Sequence, residues 1–160
     1  TVAMAGAPEV HGTAPHGYFR SLRAPLRLQK GRDLGERMHR AIERGLRRHR
    51  AVILIGTDCP VLNARDLSRA GRLLCSRDVV LAPAEDGGYA LVGMSRPCAA
   101  IFEGIEWGSG SVLRETIVRM DRAGLRWGLL RTVWDVDRPE DLERLRSLRF
   151  PSGARRGARR

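Results

Sequence analysis

Carboxylates recur in this chain where a turn would present them. Asp58 stands in Gly56-Thr57-Asp58-Cys59-Pro60, directly after an apolar run. Asp86 opens Asp86-Gly87-Gly88-Tyr89, and a third apolar stretch ends in Asp135-Val136-Asp137. Hard oxygen donors gathered at one rim of a sheet suit Mg²⁺ or Mn²⁺, which commonly bridge to substrate phosphates. An ion held there would neutralise charge developing on a diphosphate leaving group. Taken singly, each Asp is as readily a turn or cap residue. Three clusters at corresponding places in the chain point to a site. Gly87 and Gly88 read two ways, as close backbone approach to a ligand or as a tight turn. Trp107 reads first as packing, although its loop of small residues leaves room for a sugar platform. His11, His16, His39 and His49 show no metal-ligand spacing. Cys59, Cys75 and Cys98 read as reduced thiols, neither a disulfide framework nor a zinc site.

The elements that must hold these residues follow from hydrophobic pattern. Ala51 to Ile55 is unbroken apolar sequence rich in β-branched residues, the pattern of a central parallel strand buried on both faces. Ligands of open α/β sheets bind beyond the carboxyl ends of such strands, which is where Asp58 stands. Thr1–Ala7 reads as a short strand, Pro8–Arg23 as a long loop and Leu26–Gln29 as another strand. Asp33 with Glu36 is a capping-box arrangement opening a helix whose inner face is Leu34, Met38, Ala41, Ile42, Gly45 and Leu46. Asn63 caps a second helix to about Cys75, with Leu67, Ala70 and Leu74 inward. Strands follow at Asp78–Ala84 and Tyr89–Met94, the latter open to an antiparallel direction after its Gly-Gly turn. A short helix over Pro97–Phe102 and one over Val112–Ala123, which the loop serines can cap, lead to a strand within Leu125–Val136. Pro139 then starts a closing helix. Alternating strands and helices predict a mainly parallel sheet covered on both faces.

Bulk composition narrows the function classes. The 160 residues suit one domain over 1–150, and the Arg-rich tail 151–160 reads as disordered. No apolar run approaches a membrane span and no signal peptide is visible, so the expectation is cytoplasmic. Net charge is +11, carried almost wholly by arginine because Lys30 is the only lysine. Such a balance raises nucleic-acid binding. No aromatic residue is interleaved with the basic runs, however, so the arginines read as solvated helix faces and nucleic acid is disfavoured as a partner.

Taken together, Gln29…Asp33-Leu34-Gly35-Glu36-Arg37-Met38, Ile55-Gly56-Thr57-Asp58-Cys59-Pro60, Pro83-Ala84-Glu85-Asp86-Gly87-Gly88-Tyr89, Ile105-Glu106-Trp107-Gly108 and Asp135-Val136-Asp137-Arg138-Pro139-Glu140-Asp141-Leu142 resemble a bacterial family of small GT-A-type transferases. The match in order and spacing runs over roughly Gln29 to Leu145. Its members, many labelled glycosyltransferases, belong to the nucleotide-diphospho-sugar transferase superfamily, which includes nucleotidylyltransferases. The resemblance implies a Rossmann-like GT-A three-layer α/β/α sandwich. It implies Asp58 and Asp137 as ligands of Mg²⁺ or Mn²⁺, with Asp135 as helper. It places Gln29, Gly35, Thr57 and Asp58 on the nucleotide. Asp86, Gly87, Gly88, Tyr89 and Trp107 fall on the acceptor side, with Asp86 orienting or deprotonating the acceptor.

Two departures stand out. Arg138 occupies a position where relatives usually have Thr, a weaker helix cap. The family's first strand and its basic, Gly-containing phosphate loop (Lys-x-Pro-x-x-Gly-x-x-Lys-Thr-Arg-Leu in pattern) have no counterpart here. The expectation is therefore a sheet lacking its first strand and exposing an apolar edge through which an oligomer could form. The function expected is metal-dependent transfer of a sugar from a nucleotide-sugar to a small acceptor. The alternatives are nucleotidylyl transfer to a phosphorylated acceptor, an inactive truncated remnant, and a basic domain that binds nucleic acid.

Overall fold

A computed structural model describes residues 4–6, 26–136 and 138–148. The expected loop over Pro8–Arg23, the tail 151–160 and Asp137 lie outside the described residues. Within them the order is β1 (Met4–Gly6), β2 (Leu26–Leu28), α1 (Leu34–Leu46), β3 (Val52–Ile55), α2 (Ala64–Leu73), β4 (Val79–Pro83), β5 (Tyr89–Met94), a 3₁₀ turn (Ala99–Ile101), α3 (Val112–Arg122), β6 (Trp127–Leu129) and α4 (Asp141–Ser147).

The main sheet has the order β3-β5-β4-β6, while β1 and β2 form a separate parallel pair. β5 is antiparallel to both its neighbours and β4 is parallel to β6, so β3, β4 and β6 share one direction. The sheet is thus mostly, not wholly, parallel. The antiparallel strand is the one that follows the Gly-Gly turn, because so short a connection can only reverse the chain.

β4 is buried along its whole length, and its successive side chains feed two different cores. Val79 and Leu81 join Val92, Met94, Ile42 of α1, Met120 of α3 and Ile101 and Phe102 of the 3₁₀ segment. Val80 and Ala82 face the other way, onto Ala70 of α2 and Leu74 just beyond its end, with Leu130 and Val133. Helices therefore cover both faces, giving the three-layer α/β/α arrangement. Asp78, at the foot of β4, accepts the Arg126 backbone N–H (2.9 Å) and its guanidinium (3.2 Å), tying the start of β4 to β6.

β3 departs from the sequence expectation. Among the described residues it is an edge strand paired only with β5, and its side chains are half-buried, with Ile55 48% exposed. An apolar run reports that side chains seek cover; it does not report how many strands flank it. The helices differ in detail too. Leu34 and Leu67 are exposed rather than inward, and no residue of α4 is buried. No helix among the described residues is long and apolar enough to cross a membrane.

Candidate functional site

Three connections leave the carboxyl-end rim of the sheet and meet there. The first, residues 56–63, follows β3. Gly56 N–H donates to Ala90 O (2.8 Å), anchoring its start on β5. Its end is Asn63, whose side chain caps α2 while Asp66 accepts the Asn63 N–H (3.1 Å), a reciprocal capping box. Asp58 and Thr57 lie exposed between these anchors, and Cys59 is buried beneath them. The second connection, residues 130–136, runs on from β6. It stays in register with β4 through Leu130 N–H to Leu81 O (2.8 Å) and Val133 N–H to Pro83 O (2.8 Å).

These two connections join at one backbone bond, from Val136 N–H to Asp58 O (2.9 Å). That bond brings the segments carrying Asp135 and Asp58 together. Burial raises the pKa of the Cys59 thiol, and the charges of Asp135 and Asp58 push it the same way, so both carboxylates act on one thiol. The fold thus brings together the segments that carry two of the three acidic clusters. Asp137, expected as the second ligand with Asp135 as its helper, falls outside the described residues.

The third connection is the Ala84–Gly88 turn between β4 and β5. Gly88 N–H donates to Asp86 Oδ1 (2.8 Å), so the turn itself orients the Asp86 carboxylate. Gly87 has φ of +91°, and a Cβ there would stand 2.2 Å from Gly110 O. The turn and the 107–111 loop are thus in backbone contact, reinforced by Leu113 N–H to Gly87 O (2.8 Å). Of the two readings of the Gly pair, the tight turn is the one seen at Gly87, and the close approach it permits is to the chain itself at Gly110.

Gly35, in the first turn of α1, is buried under Trp107 and the Phe102 carbonyl. A Cβ there would meet Phe102 O at 2.6 Å and Trp107 Cζ2 at 2.7 Å. Trp107 in turn meets Tyr89 edge to face, with centroids 6.4 Å apart. Gly35, Trp107 and Tyr89 therefore form one packed series from α1 to β5. The Tyr89 and Thr116 hydroxyls are both buried without a hydrogen-bond partner among the described residues, and burial raises the Tyr89 pKa. Gln29 follows β2 and is partly buried.

Two contacts near the rim had no expectation attached, and a third corrects the expected serine cap of α3. Arg131 forks the Asp66 carboxylate (3.0 and 2.8 Å), which lowers the pKa of Asp66. Arg144 of α4 forks Glu85 (2.7 and 2.9 Å) and stacks on Trp134, 4.4 Å from the ring centroid. Ser111, at the start of α3, makes no cap and donates instead to Glu115 Oε1 (2.8 Å), with Ser109 hydrogen-bonded to it (2.9 Å). The Asn63–Asp66 spacing was the one local signal for any of these. The Arg partners come from distant sequence.

Among the described residues no three His, Cys, Asp or Glu side chains converge as a closed metal cage. Oxygen donors such as Asp58, exposed, and Asp135, half-buried, on two joined segments are of the chemistry that suits an Mg²⁺ or Mn²⁺ site of the open kind, in which waters and substrate phosphates complete the shell.

The fold and rim define an α/β protein of the nucleotide-diphospho-sugar transferase kind. A crystal structure of a "putative nucleotide-diphospho-sugar transferase" from Desulfovibrio desulfuricans G20 superposes with a TM-score of 0.81 at 32% identity, covering 98% of this chain and 69% of that one. Residues 3–109 match the family described as an uncharacterized protein conserved in bacteria (DUF2064), and the chain belongs to that family. No curated protein matches it.

Proposed function

We propose that this chain is a metal-dependent glycosyltransferase, moving a sugar from a nucleotide-sugar to a small acceptor. The observation that supports it most is the Val136–Asp58 backbone bond, which sets two carboxylate-bearing segments side by side in a fold shared with a transferase-like neighbour. In this reading Asp58 and Asp135, joined by Asp137, hold Mg²⁺ or Mn²⁺. When bound, the ion supplies charge neutralisation at the leaving diphosphate.

The chain's own groups do the remainder. Gln29, Gly35 and Thr57 lie on the nucleotide side of the site. Asp86 orients the acceptor: Gly88 N–H fixes Oδ1, and Oδ2 has no bond among the described residues and can accept an acceptor hydroxyl proton. Gly87, Gly88, Tyr89 and Trp107 form the wall behind it, with Trp107 giving a half-buried ring face.

The test is donor breakdown. The protein is incubated with UDP-, GDP- and CDP-sugars with and without Mn²⁺, and release of nucleoside diphosphate is followed. Metal-dependent release from one donor, abolished by Asp58→Asn, is the expected result. Pyrophosphate release from a nucleoside triphosphate, with every nucleotide-sugar left intact, replaces this reading with nucleotidylyl transfer.

A further inference from the structure

An exposed loop does not hold a carboxylate in place by itself, and residues 56–63 contain neither a helix nor a strand. Apart from its two ends, the loop is fastened to the 130–136 connection at two points. One is the Val136 N–H bond to Asp58 O (2.9 Å). The other is Arg131, whose Nη2 donates to Val61 O (2.7 Å) and to Asp66 Oδ2 (2.8 Å) while Nε donates to Asp66 Oδ1 (3.0 Å). Asp66 is 8% exposed and also accepts the Asn63 N–H, so it is fixed at the head of α2. The Arg131 segment is itself pinned to β4 at Leu130 and Val133. The two carboxylate-bearing connections are therefore fastened at Asp58 itself and again three residues on, at Val61.

We propose that Arg131, acting through Asp66 and the Val61 carbonyl, is a positioning residue that sets the spacing of Asp58 and Asp135. The inference rests on the reading of those two carboxylates as metal ligands. A guanidinium suits the task because its planar fork fixes two bonds to one carboxylate and has N–H groups left for the carbonyl. An ammonium brings charge without that geometry. Without Arg131, the Asp66 carboxylate keeps only its hydrogen bond from the Asn63 N–H among the described residues, and the loop is left with the Val136–Asp58 bond alone to the 130–136 connection.

The experiment is Mn²⁺ titration followed by the electron paramagnetic resonance signal of the free aquo ion. It compares the wild-type chain with Arg131→Ala, Arg131→Lys, Asp66→Asn and Asp58→Asn, well below each melting temperature. Loss of a group that orients metal ligands typically weakens affinity by about 10–100-fold. Arg131→Ala and Asp66→Asn are expected in that range, Arg131→Lys between them and wild type, and Asp58→Asn without binding. Circular dichroism establishes that each variant is folded, and Arg131→Lys and Asp66→Asn carry the test should Arg131→Ala not fold. Folded variants with Mn²⁺ affinity within about twofold of wild type, whatever their melting temperatures, overturn the positioning role alone. Absence of Mn²⁺ binding by the wild-type chain overturns the metal reading, and this inference with it.

Discussion

Replacing Gly87 with Ala should be costly, whereas the same change one residue later should not. At Gly87 the backbone has φ of +91°, and the added Cβ would lie 2.2 Å from Gly110 O, a backbone atom with no rotamer to escape into. Holding a non-glycine residue in that region costs about 1–3 kcal/mol. Forcing an extra carbon into a packed contact costs about 1–3 kcal/mol more. The expected loss is about 2–6 kcal/mol, a large share of the roughly 5–15 kcal/mol of a typical domain. At Gly88 the backbone needs no positive φ, and the Cβ would meet only the Asp86 side chain, at 3.2 Å from Oδ1, which can rotate. Gly88→Ala should therefore cost under about 1 kcal/mol. Urea unfolding read by tryptophan fluorescence measures both, with Trp107 beside the perturbed contact. A Gly87→Ala loss within about 0.5 kcal/mol of that for Gly88→Ala would refute the argument that the turn and the 107–111 loop are locked through backbone.

The remaining predictions concern the carboxylates and the core. Arg131 and Arg126 hold Asp66 and Asp78 below the ordinary carboxylate range. With folded pKa values depressed, their contribution is complete above the unfolded value of about 3.9 and is lost as pH falls through the folded values. The urea midpoint should thus decline below about pH 4, and Asp78→Asn should start lower and decline less; equal slopes would contradict this. A Cβ on Gly56 would stand 2.7 Å from Asp58 Oδ1. Gly56→Ala should therefore turn that carboxylate aside and weaken Mn²⁺ binding while costing under about 1 kcal/mol of stability, read by titration alongside urea melts. Ile42 is fully buried between α1 and the sheet, so Ile42→Ala should cost about 2–5 kcal/mol. Leu142→Ala, on exposed α4, should stay within about 0.5 kcal/mol of wild type.

Local signals carried the elements well and their partners poorly. Asp33 and Asn63 do cap α1 and α2, because a cap is a bond between neighbours in sequence. Glu36 shows the limit of such detail: it accepts from Arg32 N–H (2.7 Å), one residue outside the capping position. The run of β4 is buried as its composition demands, whereas β3, with a similar composition, is an edge strand among the described residues. Strand order depends on pairings between distant segments, which a local pattern does not encode.

The candidate site divides in the same way. Asp58 and Asp86 stand on turns because Gly and Pro end their strands, and that was readable. Their neighbours were not. Arg131 and Asp66 are 65 residues apart, and only the folded chain makes them a pair. Gly35 entered by resemblance as a nucleotide contact, whereas what the packing gives it is a buried place beneath Trp107 and the Phe102 carbonyl.

The account turns on whether the paired carboxylates make a metal-dependent nucleotide site. Thermal-shift measurement with UDP, GDP, CDP and their triphosphates, each with and without Mn²⁺, tests that directly on the wild-type chain and on Asp58→Asn. A ligand at 100 times its dissociation constant stabilises the folded state by about 2.7 kcal/mol, which for a chain of this size is a rise of about 5–10 °C. The account predicts such a rise for one base, only with Mn²⁺, and none for Asp58→Asn. A rise that persists without metal, or equally in Asp58→Asn, contradicts it, as does no rise with any nucleotide.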